Sequence, residues 1–335
     1  MSTINNISNI SNQMPIDTWM QALPHGITLS CRGVGEAGRP VVMFLHGFPE
    51  AAFVWDDLMR ATAARGFRCV APNLRGFEAS SAPADVTDYR SRHLVRDIVE
   101  LIAAQLPAGQ SALACLVAHD WGGAVAWNLA NQQPALLQRL AIFNSPHPGL
   151  FLRELQHNPV QQQASAYMNF LIRPDAEALL AADDFARLWP FLRNNAQGRS
   201  DDPPWLTEAL RAQYRAVWSG ALAQPPLTGP GAGLRGGCNY YRASPLRPPT
   251  EADPAAAAIT LPRDMLMVNL PTLVIWGLQD IALQPGLIDG LEEFVPQLRL
   301  HRLADASHWL VHEKPDLLAQ WLGDFLASGA PDQSA

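Results

Sequence analysis

The chain has 335 residues, 48% of them hydrophobic and only 16% charged, so it can bury a sizeable core and does not read as disordered. Its 31 acidic and 24 basic side chains give a formal net charge of −7, and no dense Lys/Arg run offers a phosphate-tracking surface, which argues against a nucleic-acid partner. No apolar run approaches the roughly 20 residues that a membrane-spanning helix needs.

Residues 1–14 are rich in Asn, Ser and Ile, with neither a basic start nor an apolar centre, and read as a flexible tail rather than an export signal. Val41–Leu45 (VVMFL) reads as a buried strand, and Val54, Trp55, Leu58 and Met59 follow at helical spacing. Residues 67–71 form a second strand pattern, and Leu94, Ile98, Leu101 and Ile102 mark another helix. Residues 112–118 (ALACLVA) and Leu140–Phe143 give the third and fourth strands. From 146 to 267 the strand pattern gives way to helical stretches over 161–171 and 206–223, and to Pro/Gly-rich connectors such as QPPLTGPGAGLRGG. Residues 273–276 and Leu298–Leu303 supply two more strands, and Leu317, Leu318, Trp321, Leu322 and Phe325 lie along one stripe of a closing helix.

Short apolar strands alternating with amphipathic helices predict an α/β fold, a mostly parallel sheet flanked by helices. The composition shift divides the chain into a core of 15–145 and 268–335 with an inserted helical lid over 146–267. Cys31, Cys69, Cys115 and Cys238 form no CxxC pair, and Cys69 and Cys115 fall in strand runs; they are expected to be reduced core thiols of a cytoplasmic protein. His308 and His312 are spaced i, i+4, but no HExxH occurs and no carboxylate stands between them, so no metal is expected.

The segment LVAHDWGGA carries the most chemistry. An apolar strand ends at Ala118 and His119, Asp120 follows, and a helix begins through Trp121, Gly122 and Gly123. That order matches a strand-to-helix nucleophile elbow, a turn so tight that only small residues fit two positions either side of its centre. The helix N-terminus favours an anion there. Aspartate at the centre changes the reaction. A carboxylate needs no base to activate it, and it suits attack on a saturated carbon, giving an alkyl-enzyme ester that water must then hydrolyse. The plainer alternative is that Asp120 only caps the helix.

His46, Gly47, Phe48, Pro49 and Glu50 (HGFPE) directly follow the strand ending at Leu45. An elbow of this kind takes one oxyanion donor from the residue after the nucleophile and one from such an earlier loop, which assigns the backbone N–H groups of Trp121 and Phe48. Gly47 would permit the turn, and Pro49 would hold Phe48 extended. The remaining partners come in the order nucleophile, acid, histidine: Asp280 after the strand of 273–276, and His308 after Leu298–Leu303. His308 would take a proton from water, and Asp280 would fix its tautomer. Asp305 is the rival acid, but it shares the histidine's loop. No carboxylate follows the strand at Phe143, where Asn144, Ser145 and Pro146 stand.

The set HGFPE, HDWGG, a distal Asp and ASHW closely resembles the epoxide hydrolases of the α/β-hydrolase fold, over about residues 41–325; haloalkane dehalogenases are the nearest relatives. The resemblance implies a cofactor-free hydrolase acting on a small apolar epoxide with water. It also implies lid tyrosines that hydrogen-bond the ring oxygen. Tyr241, in NYYR, matches the family's ring-opening position, and Tyr167, in QASAYMNF, matches the other more loosely. Adjacent helical residues diverge by about 100°, so at most one of Tyr240 and Tyr241 faces the site squarely; the alternative makes the tyrosines ordinary packing. The loop NLRGFEASS departs from the family's DLRGFG-type pattern at Asn73 and at Glu78–Ala79. Arginines after the nucleophile, as in fluoroacetate dehalogenases, are missing, since Trp121 and Gly122 stand there. Haloalkane dehalogenation by Asp120 is the alternative activity, and a ligand-binding receptor on the same fold is the alternative of another class. A serine-type esterase is disfavoured because the elbow has no central hydroxyl, and a homodimer stays open.

Overall fold

Period-two alternation along the strands divides the apolar side chains between two cores, one on each face of a single sheet. Along Val41–Leu45, residues Val41, Met43 and Leu45 join one core, and Val42 and Phe44 the other. Val274 and Trp276 face the first core, and Leu273 and Ile275 the second. A strand buried on both faces must be apolar throughout, which is why these segments read as continuous hydrophobic runs.

The computed structural model describes residues 14–194, 201–251 and 253–328. Its eight strands are β1 (Asp17–Ala22), β2 (Thr28–Val34), β3 (Val41–Leu45), β4 (Arg68–Pro72), β5 (Cys115–His119), β6 (Leu140–Phe143), β7 (Thr272–Gly277) and β8 (Leu298–Leu303). They lie in the order β1-β2-β4-β3-β5-β6-β7-β8. The pairs β1–β2 and β2–β4 are antiparallel and all others parallel, so the sheet is mostly parallel as expected. The first two strands were not foreseen. Residues 1–13 of the expected tail lie outside the described residues, but Met14 packs against the core and its carbonyl accepts from Arg60 Nε at 3.1 Å. Expected strand bounds shift modestly: β5 starts only at Cys115, because Leu113 pairs with Leu137 as an isolated bridge.

Helices α1 (Asp56–Ala63), α2 (Ser91–Gln105) and α3 (Asp120–Gln132) cover the sheet from the first half of the chain. The spacing at Val54–Met59 opens on a 3-10 turn, Ala52–Trp55, before α1 begins. In α2, Leu94, Ile98, Leu101 and Ile102 are buried together, as their spacing predicts.

Between β6 and β7 come α4 (Pro148–His157), α5 (Pro159–Ala164), α6 (Tyr167–Leu171), α7 (Ala176–Phe185), α8 (Trp189–Leu192), α9 (Glu208–Ser219) and α10 (Arg235–Ala243). The single helical stretch expected over 161–171 is two helices, interrupted at Ser165 and Ala166. Helix α9 is shorter than its expected span: the Thr207 side chain caps its start, and Gly220, in the left-handed region at φ 79°, ends it. The chain closes with α11 (Leu310–Glu313) and α12 (Pro315–Ala327), with Pro315 at the first helical position, where its missing N–H costs nothing. No helix among the described residues is long and apolar enough to cross a membrane.

Candidate active site

Strand β3 has β4 on one side and β5 on the other, so the chain leaves β3 and β5 in opposite directions across the sheet. Such a switch point opens a crevice at the strands' carboxyl ends, where α/β sheets bind ligands. Leu45 pairs with Ala118, which brings the loop after β3 against the turn after β5. The Phe48 N–H donates to Asp120 Oδ1 at 2.7 Å as a result.

Asp120 has φ 47°, a left-handed conformation for a residue with a Cβ, and such strain costs about 1–3 kcal/mol that the surrounding packing must offset. The small neighbours are required by contact. A Cβ on Gly122 would lie 2.4 Å from the Leu45 carbonyl oxygen. At Gly47 one would lie 2.2 Å from Asp120 Oδ1, so glycine is needed there for close approach; its φ is not among the positive values that a turn would demand. The Phe48–Pro49 peptide bond is cis. Trp121 lies in the first turn of α3, where backbone N–H groups have no helical acceptor. Its indole meets the Tyr241 ring edge-on at 5.0 Å. Ser145 Oγ donates to the Asp120 carbonyl at 2.6 Å and ties the elbow to the end of β6.

His308 and Asp280 arrive from the loops after β8 and β7, which pair in parallel with Gly277 opposite Leu303. His308 Nδ1 lies 2.6 Å from Asp280 Oδ2, and Nε2 lies 3.8 Å from Asp120 Oδ2. Asp280 Oδ1 accepts the N–H groups of Ala282 and Leu283, each at 2.8 Å. Burial by itself would raise the Asp280 pKa, but the His308 charge and these hydrogen bonds hold it below the usual carboxylate range. Burial would likewise lower His308, yet the charge and hydrogen bond of Asp280, with Asp120 and Glu50 adding, raise it to about 9. Asp305, the rival acid, is exposed and pairs with Lys314 at 2.6 Å.

Asp120 stands on the floor of a cavity of about 300 Å³, walled by Trp121, Phe151, Tyr167, Met168, Tyr241 and Leu283 among others. The Tyr167 and Tyr241 rings lie 6.0 Å apart, nearly perpendicular, and each feels the Asp120 charge. Burial, and next the neighbouring phenol for Tyr241 or Asp120 for Tyr167, raises both phenol pKa values, so both remain neutral donors at physiological pH. Tyr240 turns its hydroxyl elsewhere, donating to the Arg75 carbonyl at 3.0 Å.

A buried cluster behind Asp120 and His308 escaped the sequence reading. Glu50 Oε1 accepts from the Tyr214 hydroxyl at 2.9 Å and lies 2.8 Å from His312 Nε2; Oε2 is 3.3 Å from His119 Nδ1. His119 Nε2 reaches the His308 carbonyl at 2.9 Å, and its ring lies 4.6 Å from that of His308. Burial opposes the Glu50 charge, but the two histidines hold its pKa far below the carboxylate range. Glu50 and His119 are the last and first residues of the HGFPE and HDWGG motifs, so their place beside Phe48 and Asp120 was the available signal. His312 is thus committed to Glu50 and stacks on Trp205 at 4.5 Å. The departure at Asn73 is structural: Asn73 accepts from Ala52 N–H at 2.7 Å and donates to Ser30 and Glu78. All four cysteines are free and buried.

The sequence profile described as the alpha/beta hydrolase fold matches residues 40–315. AB hydrolase superfamily protein YfhM of Bacillus subtilis (strain 168) is 32% identical, with 90% of this chain and 95% of that protein covered. Epoxide hydrolase 4 of Mus musculus is 30% identical over 90% of this chain and 77% of its own length. Among solved structures, the Bacillus megaterium epoxide hydrolase in complex with an inhibitor superposes with a TM-score of 0.77 at 31% identity, covering 92% of this chain and 99% of that one.

Proposed function

Since the chain belongs to the epoxide hydrolases of the α/β-hydrolase fold, we propose that it opens an epoxide to a vicinal diol through an ester on Asp120. The carrying observation is a carboxylate, held by a backbone N–H at 2.7 Å, facing a histidine–aspartate pair beneath two neutral tyrosines.

Asp120 Oδ2 attacks a ring carbon; the new C–O bond forms as the ring C–O bond breaks, and the released oxygen takes a proton from Tyr241, with Tyr167 as second donor. His308, oriented by Asp280, then draws a proton from water as its hydroxyl adds to the ester carbonyl carbon. The N–H groups of Phe48 and Trp121 hold the resulting oxyanion. Collapse expels the diol, whose oxygen takes the proton back from His308, and the acid proton left on Asp120 replaces the one Tyr241 gave. Residues 146–267 act as the lid, placing both tyrosines over the nucleophile and supplying much of an apolar wall suited to a small apolar substrate. A cytoplasmic setting fits four unpaired buried thiols. Haloalkane dehalogenation and mere ligand binding are not favoured, because several of the relatives carry epoxide hydrolase names.

Single turnover in heavy-oxygen water tests this reading. Label is expected in the Asp120 side chain while the first diol released from unlabelled enzyme stays light. A heavy first diol means water attacked the ring directly.

A further inference from the structure

Gln161, on α5, is fully buried between that helix and the loop after β7. A carboxamide is kept out of water only where its hydrogen bonds are made, and here both of its polar ends are engaged. Nε2 donates to Ser165 Oγ and to the Ala282 carbonyl, each at 2.8 Å, and Oε1 accepts the Gln284 N–H at 2.9 Å. Ala282 and Gln284 belong to the turn whose N–H groups, from Ala282 and Leu283, hold Asp280 Oδ1. The acid fastens this turn from within, and Gln161 fastens it from outside.

Ser165, equally buried, is the corner between α5 and α6. Its N–H donates to the Gln161 carbonyl at 2.8 Å, and its own carbonyl accepts the Met168 N–H at 3.0 Å. Tyr167 opens α6 two residues further on. Helices of six and five residues do not hold a direction by themselves, so tertiary bonds must fix the corner from which Tyr167 leaves. Tyr167 and Leu283, on the two sides of this link, both wall the cavity above Asp120. Gln161 and Ser165 are not among its walls.

We propose that Gln161 and Ser165 form a strut, braced on the Asp280 turn, that positions the Tyr167 hydroxyl for the ring oxygen. This rests on the epoxide hydrolase reading above. Both are positioning residues that act through Tyr167, so losing the strut cannot slow ester formation more than losing the hydroxyl does. Small displacements of a proton donor still cost rate, because the reacting atoms must be held closely in line.

Rapid-quench single turnovers of styrene oxide and 1,2-epoxyhexane separate ester formation from ester hydrolysis. Ser165→Ala should slow formation by about fivefold and leave hydrolysis unchanged. In a Tyr167→Phe background the same substitution should change formation by less than about twofold, since the residue it positions has no hydroxyl left. Gln161→Met, close in shape, should slow formation comparably and hydrolysis as well, because it also releases the Asp280 turn. Gln163→Ala, at an exposed position of the same helix, should leave both rates as they are. Formation at the wild-type rate in Ser165→Ala, or a loss that multiplies with that of Tyr167→Phe, overturns the strut. So does equal slowing of both phases in Ser165→Ala, which would mean general loosening, or a Tyr167→Phe enzyme as fast as wild type. If Gln161→Met does not fold, Ser165→Ala alone decides. A wild-type enzyme that forms no ester on Asp120 sinks the underlying reading instead, whereas normal ester turnover with an indifferent Ser165→Ala sinks only the strut.

Discussion

Asn144, directly after β6, donates its side-chain amide to Asp280 Oδ2 at 2.7 Å, the same oxygen that faces His308 Nδ1 at 2.6 Å. Its Oδ1 accepts the Gly277 N–H at 2.7 Å, so one carboxamide fastens the acid's loop to β7 while supporting its charge. Asn144→Ala removes a charge-assisted hydrogen bond inside a buried site, a change of about 1.5–3 kcal/mol in such settings. The ester-hydrolysis rate should fall at least about tenfold while ester formation, which does not use Asp280, changes less. Rapid-quench measurement of both phases checks this; equal slowing of the two would mean the whole site has shifted.

The position of His308 makes the two half-reactions differ in pH dependence. With its pKa at about 9 in the free enzyme, the imidazole is protonated at neutral pH, whereas water activation needs it neutral. Esterification removes the Asp120 charge, one of the groups holding that pKa up, so the value falls when the base is needed. Hydrolysis should therefore accelerate as pH rises from about 6, with a midpoint below 9. His308→Gln should stop at the ester, seen as a mass increase on the Asp120 peptide. A hydrolysis rate that is flat or falling over that range is incompatible with His308 as the base.

The same raised pKa is a stability term. A folded value above the unfolded one favours folding fully below the unfolded pKa, near 6.5, and that contribution is lost as pH rises through about 9. The depressed Asp280 carboxyl acts oppositely: its contribution holds above its unfolded value and is lost as pH falls through the folded one. Wild type should lose more stability than Asp280→Asn between neutral pH and the alkaline side of 9, in denaturant titrations at each pH. Parallel curves for the two proteins would refute the coupling.

The readable parts of the fold were those in which one residue type answers one physical demand. Doubly buried strands must be apolar, and the elbow needs small residues beside Asp120; both left marks that survive without coordinates. Strands β1 and β2 did not, because β1 is an edge strand with only half-buried or exposed side chains and lacks an apolar run. The Glu50–His119–His312–Tyr214 cluster joins residues from four separate segments, and only tertiary packing brings His312 and Tyr214 within 3.1 Å. Asn144 was noticed only as a position without a carboxylate, since its role depends on the register that sets β6 beside β7.

Two phenols serving one oxygen should be partly redundant. Tyr241→Phe or Tyr167→Phe alone should slow ester formation by about tenfold, because the other hydroxyl remains, whereas the double variant should lose about 10³–10⁴, more than the product of the two. The hydrolysis phase should change little in either single variant, since the ring oxygen is already protonated. If the single effects multiply to give the double one, the hydroxyls act independently and the shared-oxygen arrangement fails.

Tyr214 links α9 to the core through Glu50, and the link can be isolated from the packing around it. The Tyr214 ring stacks on Trp218 at 5.2 Å and meets Phe53 edge-on at 5.2 Å, contacts that phenylalanine would keep. Tyr214→Phe therefore removes only the hydroxyl that donates to a buried carboxylate at 2.9 Å. His312 and His119 still face Glu50, so its charge is weakened in support but not abandoned. The expected cost is about 2 kcal/mol, read as a lower denaturant midpoint at unchanged m-value. Tyr214→Ala, which also empties the space between Trp218 and Phe53, should cost about 3–5 kcal/mol. A Phe variant within about 0.5 kcal/mol of wild type would show that Glu50 gains nothing from the hydroxyl.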